Sequence, residues 1–351
     1  MIRVAILGAG IGAEHLAGYL QLPEHFDVRL VVDRDTDRAA ALTGTDRIEI
    51  AADVETALDR DDIDLIDICL PPHLHVPVTL QAIQQGKDII CEKPIATSLS
   101  ALDQIEHSTR SYGGRVFPVF QYRYGPNLKR LRRLQAEGLC GRLFAASLET
   151  HWNRGADYYA MEWRGTWAGE QGGAIIGHAI HSHDLLTHCL GPVASVFALL
   201  DTRVNAIETE DCASIVFGLQ SGASVTSSIT LGAANDQSRL RFLFENITVE
   251  SDRMPYAPGE GEWQFTPRSG DVADAIAASL ARPLPARSGF AGFLEDVARA
   301  IASGEDTAVT LADGRASIEL ATAIYLSSRT KSPVTLPLTR DCALYDGWQP
   351  S

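Results

Sequence analysis

Two rhythms of apolar and polar positions divide the chain. Through residue 122, short unbroken apolar runs at 2–7, 28–32, 65–70, 89–91 and 116–120 alternate with helix-spaced segments at 14–22, 52–58, 76–85 and 99–111. Unbroken apolar runs mark strands buried on both faces, and strand–helix alternation demands right-handed crossovers and a doubly wound parallel sheet. Pro71 and Pro72 stop one of these strands, and Gly86 follows a helix as its C′ residue. From residue 123 onward the rhythm changes. Segments 143–152, 195–204, 213–219, 223–231 and 239–244 alternate with period two, which predicts a large, mostly antiparallel open sheet with one covered face. Segments 290–303 and 313–328 read as amphipathic helices covering it, and the proline-bearing stretch 251–286 as extended loops. The expected fold class is α/β, with an N-terminal Rossmann domain at 1–122 and a second α/β domain at 123–351. The open face of the second sheet predicts pairing with a second copy, giving a homodimer or homotetramer.

The first turn carries chemistry. The apolar run to Leu7 leads into G-A-G-I-G-A, where Gly8 permits a tight turn, Gly10 lets backbone approach a pyrophosphate, and Gly12 and Ala13 open a closely packed helix. N–H groups at that helix start favour phosphate charge. Asp33 ends the second apolar run about twenty residues later, where a carboxylate accepts from both ribose hydroxyls and repels a 2′-phosphate. NAD is therefore expected rather than NADP, with Arg34 and Arg38 near enough to soften the preference. Strand ends at Leu70-Pro71-Pro72, Glu92-Lys93-Pro94 and Gln121-Tyr122-Arg123 should line one cleft beyond the sheet. The residues expected to meet the dinucleotide are Gly8, Gly10, Ile11, Gly12, Asp33, Arg34, Leu70, Pro71, His75, Glu92, Lys93 and Gln121. Lys93, held at the end of a buried strand, is a candidate proton handler.

A second constellation runs G-G-A-I-I-G-H-A-I-H-S-H-D-L-L-T-H from Gly172 to His188. His178, His181, Asp184 and His188 recur at spacings of three and four, near one helix face. Three readings stand open. His181 can face the cleft opposite Lys93 as a general base; His178 and His181 with a carboxylate can hold a metal, although the zinc helix spacing H-x-x-x-H is absent; or the histidines, His183 and His188 above all, simply pack. No metal is expected.

Composition narrows the class. The chain has 351 residues, 45% of them hydrophobic, enough for two cores. No apolar stretch approaches the ~18 residues needed to span a bilayer, and a strand opening at residue 2 has no signal-peptide layout, so a cytoplasmic protein is expected. A net charge of −15 argues against nucleic acid or an anionic membrane as partner. The six cysteines are scattered without a C-x-x-C and read as reduced packing thiols.

G-A-G-I-G-A-E-H-L, P-P-H-L-H, A-I-Q-Q-G-K-D-I-I-C-E-K-P-I-A, R-Y-G-P-N, G-G-A-I-I-G-H-A-I-H-S-H-D-L-L and D-G-R-A-S-I-E-L-A-T-A-I-Y-L-S-S resemble, in order, the glucose-fructose oxidoreductase / inositol dehydrogenase / rhizopine catabolism family. The resemblance spans essentially the whole chain. It implies a nicotinamide cofactor, oxidation or reduction of a sugar or polyol carbon, Lys93 as catalytic lysine and His181 as catalytic histidine. The chain departs from the family's D-x-G-x-H pattern, because Gly177 stands where the aspartate is expected. An NAD-dependent glycosidase or lyase working through a transient keto-sugar, and a non-catalytic NAD or sugar sensor, are the alternatives. Aromatic faces stack on sugar C–H surfaces while arginine and asparagine satisfy hydroxyls, so the expected substrate set is Lys93, Arg123, Tyr124, Trp152, Arg154, Tyr158, Trp163, Arg164, His178 and His181. Arg164 hints at an acidic sugar.

Overall fold

The computed structural model describes residues 1–44, 47–284 and 287–350. The chain forms two compact units: residues 1–120 with 290–318, and residues 121–289 with 319–351.

In the first unit, β1 (Ile2–Leu7), α1 (Gly12–Tyr19), β2 (Phe26–Val32), α2 (Thr36–Thr43), β3 (Glu49–Ala51), α3 (Val54–Leu58), β4 (Leu65–Ile68), α4 (His75–Gln84), β5 (Asp88–Cys91), α5 (Leu99–Tyr112) and β6 (Val116–Pro118) follow in sequence. The six strands pair in parallel in the order β3-β2-β1-β4-β5-β6. This is the doubly wound arrangement, with its switch point between β1 and β4. Core strands are apolar because both faces are covered. Among the buried positions of these strands, Asp67 in β4 is the charged exception.

In the second unit, α6 (Pro126–Ala136) precedes β7 (Leu143–Asn153). A π-helical turn (Ile175–Ala179) runs directly into α7 (Ile180–Leu190). Then come β8 (Val193–Asp201), β9 (Cys212–Leu219), β10 (Ser224–Thr230), β11 (Gly232–Phe244), β12 (Ile247–Glu250), β13 (Gln264–Pro267) and α8 (Gly270–Leu280). Helices α9 (Gly289–Ser303) and α10 (Leu311–Thr330) and strand β14 (Val334–Thr335) complete the chain. Eight strands order as β13-β12-β11-β7-β10-β9-β8-β14, antiparallel except for β7 with β10. Inward positions such as Ile215, Phe217, Val225, Leu240 and Phe242 are buried, whereas Phe197, Leu199 and Val216 on the opposite face are 36%, 53% and 48% exposed.

Three expectations are corrected here. The helix over 290–303 does not join the layer on the large sheet: it packs in the first unit, where Gly18 of α1 leaves room for Leu294 and Phe290, which a Cβ would meet at 2.9 and 3.2 Å. The chain therefore returns across the single boundary expected at 122/123. The loops expected within 251–286 are present over 251–263, but β13 and α8 occupy most of 264–280, and residues 285–286 lie outside the described residues. Helix α6, whose Leu128, Leu131 and Leu134 are buried at helical spacing, also escaped the sequence reading.

Candidate active site

Four neighbouring strands of the first unit end together. β1 leads into Gly8, whose φ of +105° belongs to glycine's range and whose added Cβ would lie 2.5 Å from the Cys69 carbonyl. A Cβ on Gly10 would meet nothing within 4 Å, leaving the open approach a pyrophosphate needs. At the end of β2, Asp33 accepts from the Ala9 amide at 2.7 Å and from Arg38 at 2.7 and 2.8 Å. Burial alone would raise its carboxyl, but Arg38 and the Ala9 and Asp35 amides outweigh that and hold it below the usual range. Asp33 is thus an anion already aimed at the loop. Ile11 and Arg34 are exposed, and Leu70 and Pro71 lie half-buried after β4. These residues fit a dinucleotide.

The end of β5 is held by a buried polar network. His15 of α1 reaches Asp67 at 2.8 Å with one ring nitrogen and Glu92 at 3.2 Å with the other, and Tyr19 donates to Asp67 at 2.9 Å. Burial opposes charge on His15, yet Asp67 and the neighbouring thiol hold its imidazole well above 6.5. Glu92 in turn accepts from the Lys93 amide at 3.0 Å, so the network anchors the backbone that presents Lys93. His75 ties the same loop to the end of β4, its two nitrogens 2.7 Å from the carbonyls of Leu70 and Pro94; burial holds its pKa below 6.5. Sequence reasoning missed the His15–Asp67–Glu92 network. Its signal was a carboxylate inside the otherwise apolar strand L-I-D-I.

The second unit gathers most of the expected substrate residues. Trp152 at the end of β7 stands edge-on to His178, ring centroids 5.2 Å apart, and Tyr158 lies 5.6 Å from the same imidazole. Arg164 stacks 3.9 Å over Tyr158 and 4.6 Å over Trp163, while Arg154 stacks on Trp152 and Tyr158. Arg154 is also paired to Asp236 at 2.9 Å. Burial pushes the Tyr158 phenol up to about 12, against the pull of Arg164. A pocket of about 610 Å³ is lined by Asn153, Arg154, Asp157, Tyr158 and Tyr256, among others.

His181 stacks on Tyr122 with centroids 4.4 Å apart. Tyr124 is buried, and Gln121 opens this unit rather than closing the first. Arg123 is committed elsewhere: its guanidinium grips Asp184 of α7 at 2.5 and 2.8 Å, both side chains nearly buried, which fixes the helix below His181. His183 packs edge-on against Phe217 and bonds Ser227 at 3.1 Å, and burial lowers it to about 4. Glu210 holds the entrance to the π turn, accepting from Gly173, Ile175 and Tyr325 on one oxygen at 3.1, 3.0 and 2.9 Å. Burial pushes its carboxyl up to about 7. A Cβ on Gly173 would fall 1.9 Å from the Glu210 carbonyl, which is why glycine opens this turn.

Residues 2–120 match an oxidoreductase family with an NAD-binding Rossmann fold, and residues 128–250 match the GFO/IDH/MocA C-terminal domain. The chain is thus a member of the GFO/IDH/MocA family of NAD-dependent oxidoreductases. The WlbA dehydrogenase of Bordetella pertussis, solved with NADH and UDP-GlcNAcA, superposes with a TM-score of 0.82 at 26% identity, covering 96% of this chain and 99% of that one. Levoglucosan dehydrogenase of Pseudarthrobacter phenanthrenivorans is 26% identical over 213 residues, 58% of this chain and 55% of that protein. A glycosyl hydrolase family 109 protein of Saccharopolyspora erythraea is 31% identical over 211 residues, 55% of this chain and 44% of its own length. The chain matches the first curated relatives over 55% to 65% of their length. Among the described residues no helix is long and apolar enough to cross a membrane.

Proposed function

We propose that this protein passes hydride between a nicotinamide and a hydroxyl-bearing carbon of a sugar, polyol or sugar derivative, with Lys93 and His181 as its catalytic residues. What carries the reading is that the glycine loop, Asp33 and Lys93 emerge from the ends of β1, β2 and β5, all in one parallel sheet with only β4 between β1 and β5, where such sheets bind ligands. When bound, the nicotinamide supplies the hydride acceptor. His181 takes the hydroxyl proton as the carbonyl forms, and the Lys93 ammonium donates to the oxygen as its charge develops. The reading requires both side chains to reach one substrate. Trp152, Tyr158 and Arg164 supply the stacking faces and positive charge that suit a sugar, including an acidic one, and Asp33 favours NAD over NADP.

The outward face of β8 and β9, with Phe197, Leu199 and Val216, supports burial against a second copy, which light scattering would test; a monomer at tens of micromolar would sink that part. Buried thiols such as Cys69 and Cys91 suit the reducing cytoplasm.

The decisive experiment follows NADH formation across aldoses, polyols, uronates and nucleotide sugars. Turnover with stoichiometric NADH is expected; no turnover together with no NAD binding by calorimetry would overturn the proposal. The glycosyl hydrolase relative favours a second reading, in which a sugar is oxidised, eliminated and re-reduced. Glycoside cleavage without net NADH would mark it.

A further inference from the structure

The π turn carrying His178 leaves a gap at Gly177, and a carboxylate faces that gap. Among the described residues outside its own helix, an added Cβ on Gly177 would meet Oε1 of Glu170, at 3.6 Å, and no other atom within 4 Å. Glu170 is 5% exposed. Its other oxygen accepts from the Gly165 amide at 2.6 Å, so the carboxylate has a defined direction. Gly165 itself is constrained: its φ is +69° and a Cβ there would collide with Ile207 at 2.6 Å. Arg164 stands 4.0 Å from Oε1 and stacks on Tyr158, which neighbours His178. Position 177 precedes His178 and lies four residues before His181, on the same side of the helix. Wide π turns of this kind concentrate at functional sites.

We propose that Glu170 is the positioning carboxylate of the histidine-bearing turn, delivered from the preceding loop into the space that Gly177 leaves open. It would favour the protonated form of His178 or His181 and so set the pH at which the base becomes available. Among the described residues, the other titratable or charged groups on the surrounding elements include Tyr122, Tyr158, Tyr159, Tyr325, Arg154, Arg164, His183, Glu210 and the Arg123–Asp184 pair, with Tyr159 and Tyr325 close enough to Glu170 to feel its charge. None of these occupies the gap at 177. The catalytic part of the inference rests on the dehydrogenase reading; the electrostatic part does not.

Two variants test it. Glu170→Gln keeps an acceptor for the Gly165 amide while removing the charge. Glu170→Gln with Gly177→Asp returns a carboxylate to the gap from the other side, and the 3.6 Å clearance is ordinary contact for the new Cβ. In NMR titrations of the whole protein, Glu170→Gln should lower the pKa of His178 or His181 by about one unit, and the double variant should restore it. With substrate, kcat should fall roughly 10- to 100-fold with little change in KM, the acid limb of kcat/KM should move to lower pH, and the double variant should recover most of both. Unchanged histidine titrations in Glu170→Gln would overturn the proposal, as would a loss of activity that tracks lost Tm and is not recovered by Gly177→Asp. If the titrations respond while no sugar turns over in the parent protein, the dehydrogenase reading fails and the role of Glu170 stands.

Discussion

The loop after β5 and the turn before α7 both depend on buried carboxylates, but they use them in opposite ways. Around Glu92-Lys93-Pro94 the carboxylates of Asp67 and Glu92 share one imidazole, His15, with both ring nitrogens engaged. Before α7, Glu210 has three donors on one oxygen, and its other oxygen is buried without a hydrogen-bond partner among the described residues. The first arrangement gives both carboxylates one shared imidazole partner and fixes backbone; the second holds an acid whose burial favours the neutral form.

The contrast can be broken in order of expected size. Lys93→Ala and His181→Ala should each cut turnover by roughly two to four orders of magnitude, with Tm nearly unchanged for Lys93→Ala and lowered for His181→Ala, which loses a buried ring stacked on Tyr122, measured by NADH formation and calorimetry. Near-parental turnover in either would remove that residue from the chemistry. His15→Ala strands Asp67 and Glu92 in the core and should cost about 3–5 kcal/mol of unfolding free energy by denaturant titration; a loss below about 1 kcal/mol would show that the cluster is not the clamp described.

Glu210 gives a signed pH test. Its native pKa of about 7 lies above the ordinary 4.5, so between these values the folded state holds a proton that the unfolded state has released. Stability from this group is intact at low pH and drains as pH rises toward about 7, by about 3 kcal/mol in all. Glu210→Gln, neutral at every pH, should lack this slope, so that its Tm gains on the parent from pH 5 to pH 8. Parallel Tm curves would refute the raised acid. The smallest effect separates two glycines of the first unit. Gly8→Ala forces a Cβ into a positive-φ position against Cys69 and should lose about 1–3 kcal/mol. Gly10→Ala should keep its Tm and weaken NAD binding alone, since nothing but the ligand would meet the added methyl.

Much of this was legible in one dimension. Apolar runs locate β1, β2, β4, β5 and β6 to within a few residues because parallel strands are buried on both faces, and period-two alternation locates β7 to β10 because one face is wet. The N-terminal half of β11 was hidden by Ala233-Ala234-Asn235-Asp236-Gln237, a stretch of weak strand preference in which the register against β7 shifts between Gly232 and Gln237. Arg123 shows the limit for sites: type and position suggested a substrate contact, yet a partner 61 residues away takes its guanidinium.

Local spacing was sufficient for the strand rhythm, the glycine turn and the acid after the second strand, since each depends on backbone geometry within a few residues. The destination of α9, the sharing of His15 by Asp67 and Glu92, and the meeting of Glu170 with the gap at Gly177 belong to tertiary structure. Each is a choice among distant partners, decided by which apolar faces and buried charges the packed core can satisfy at once.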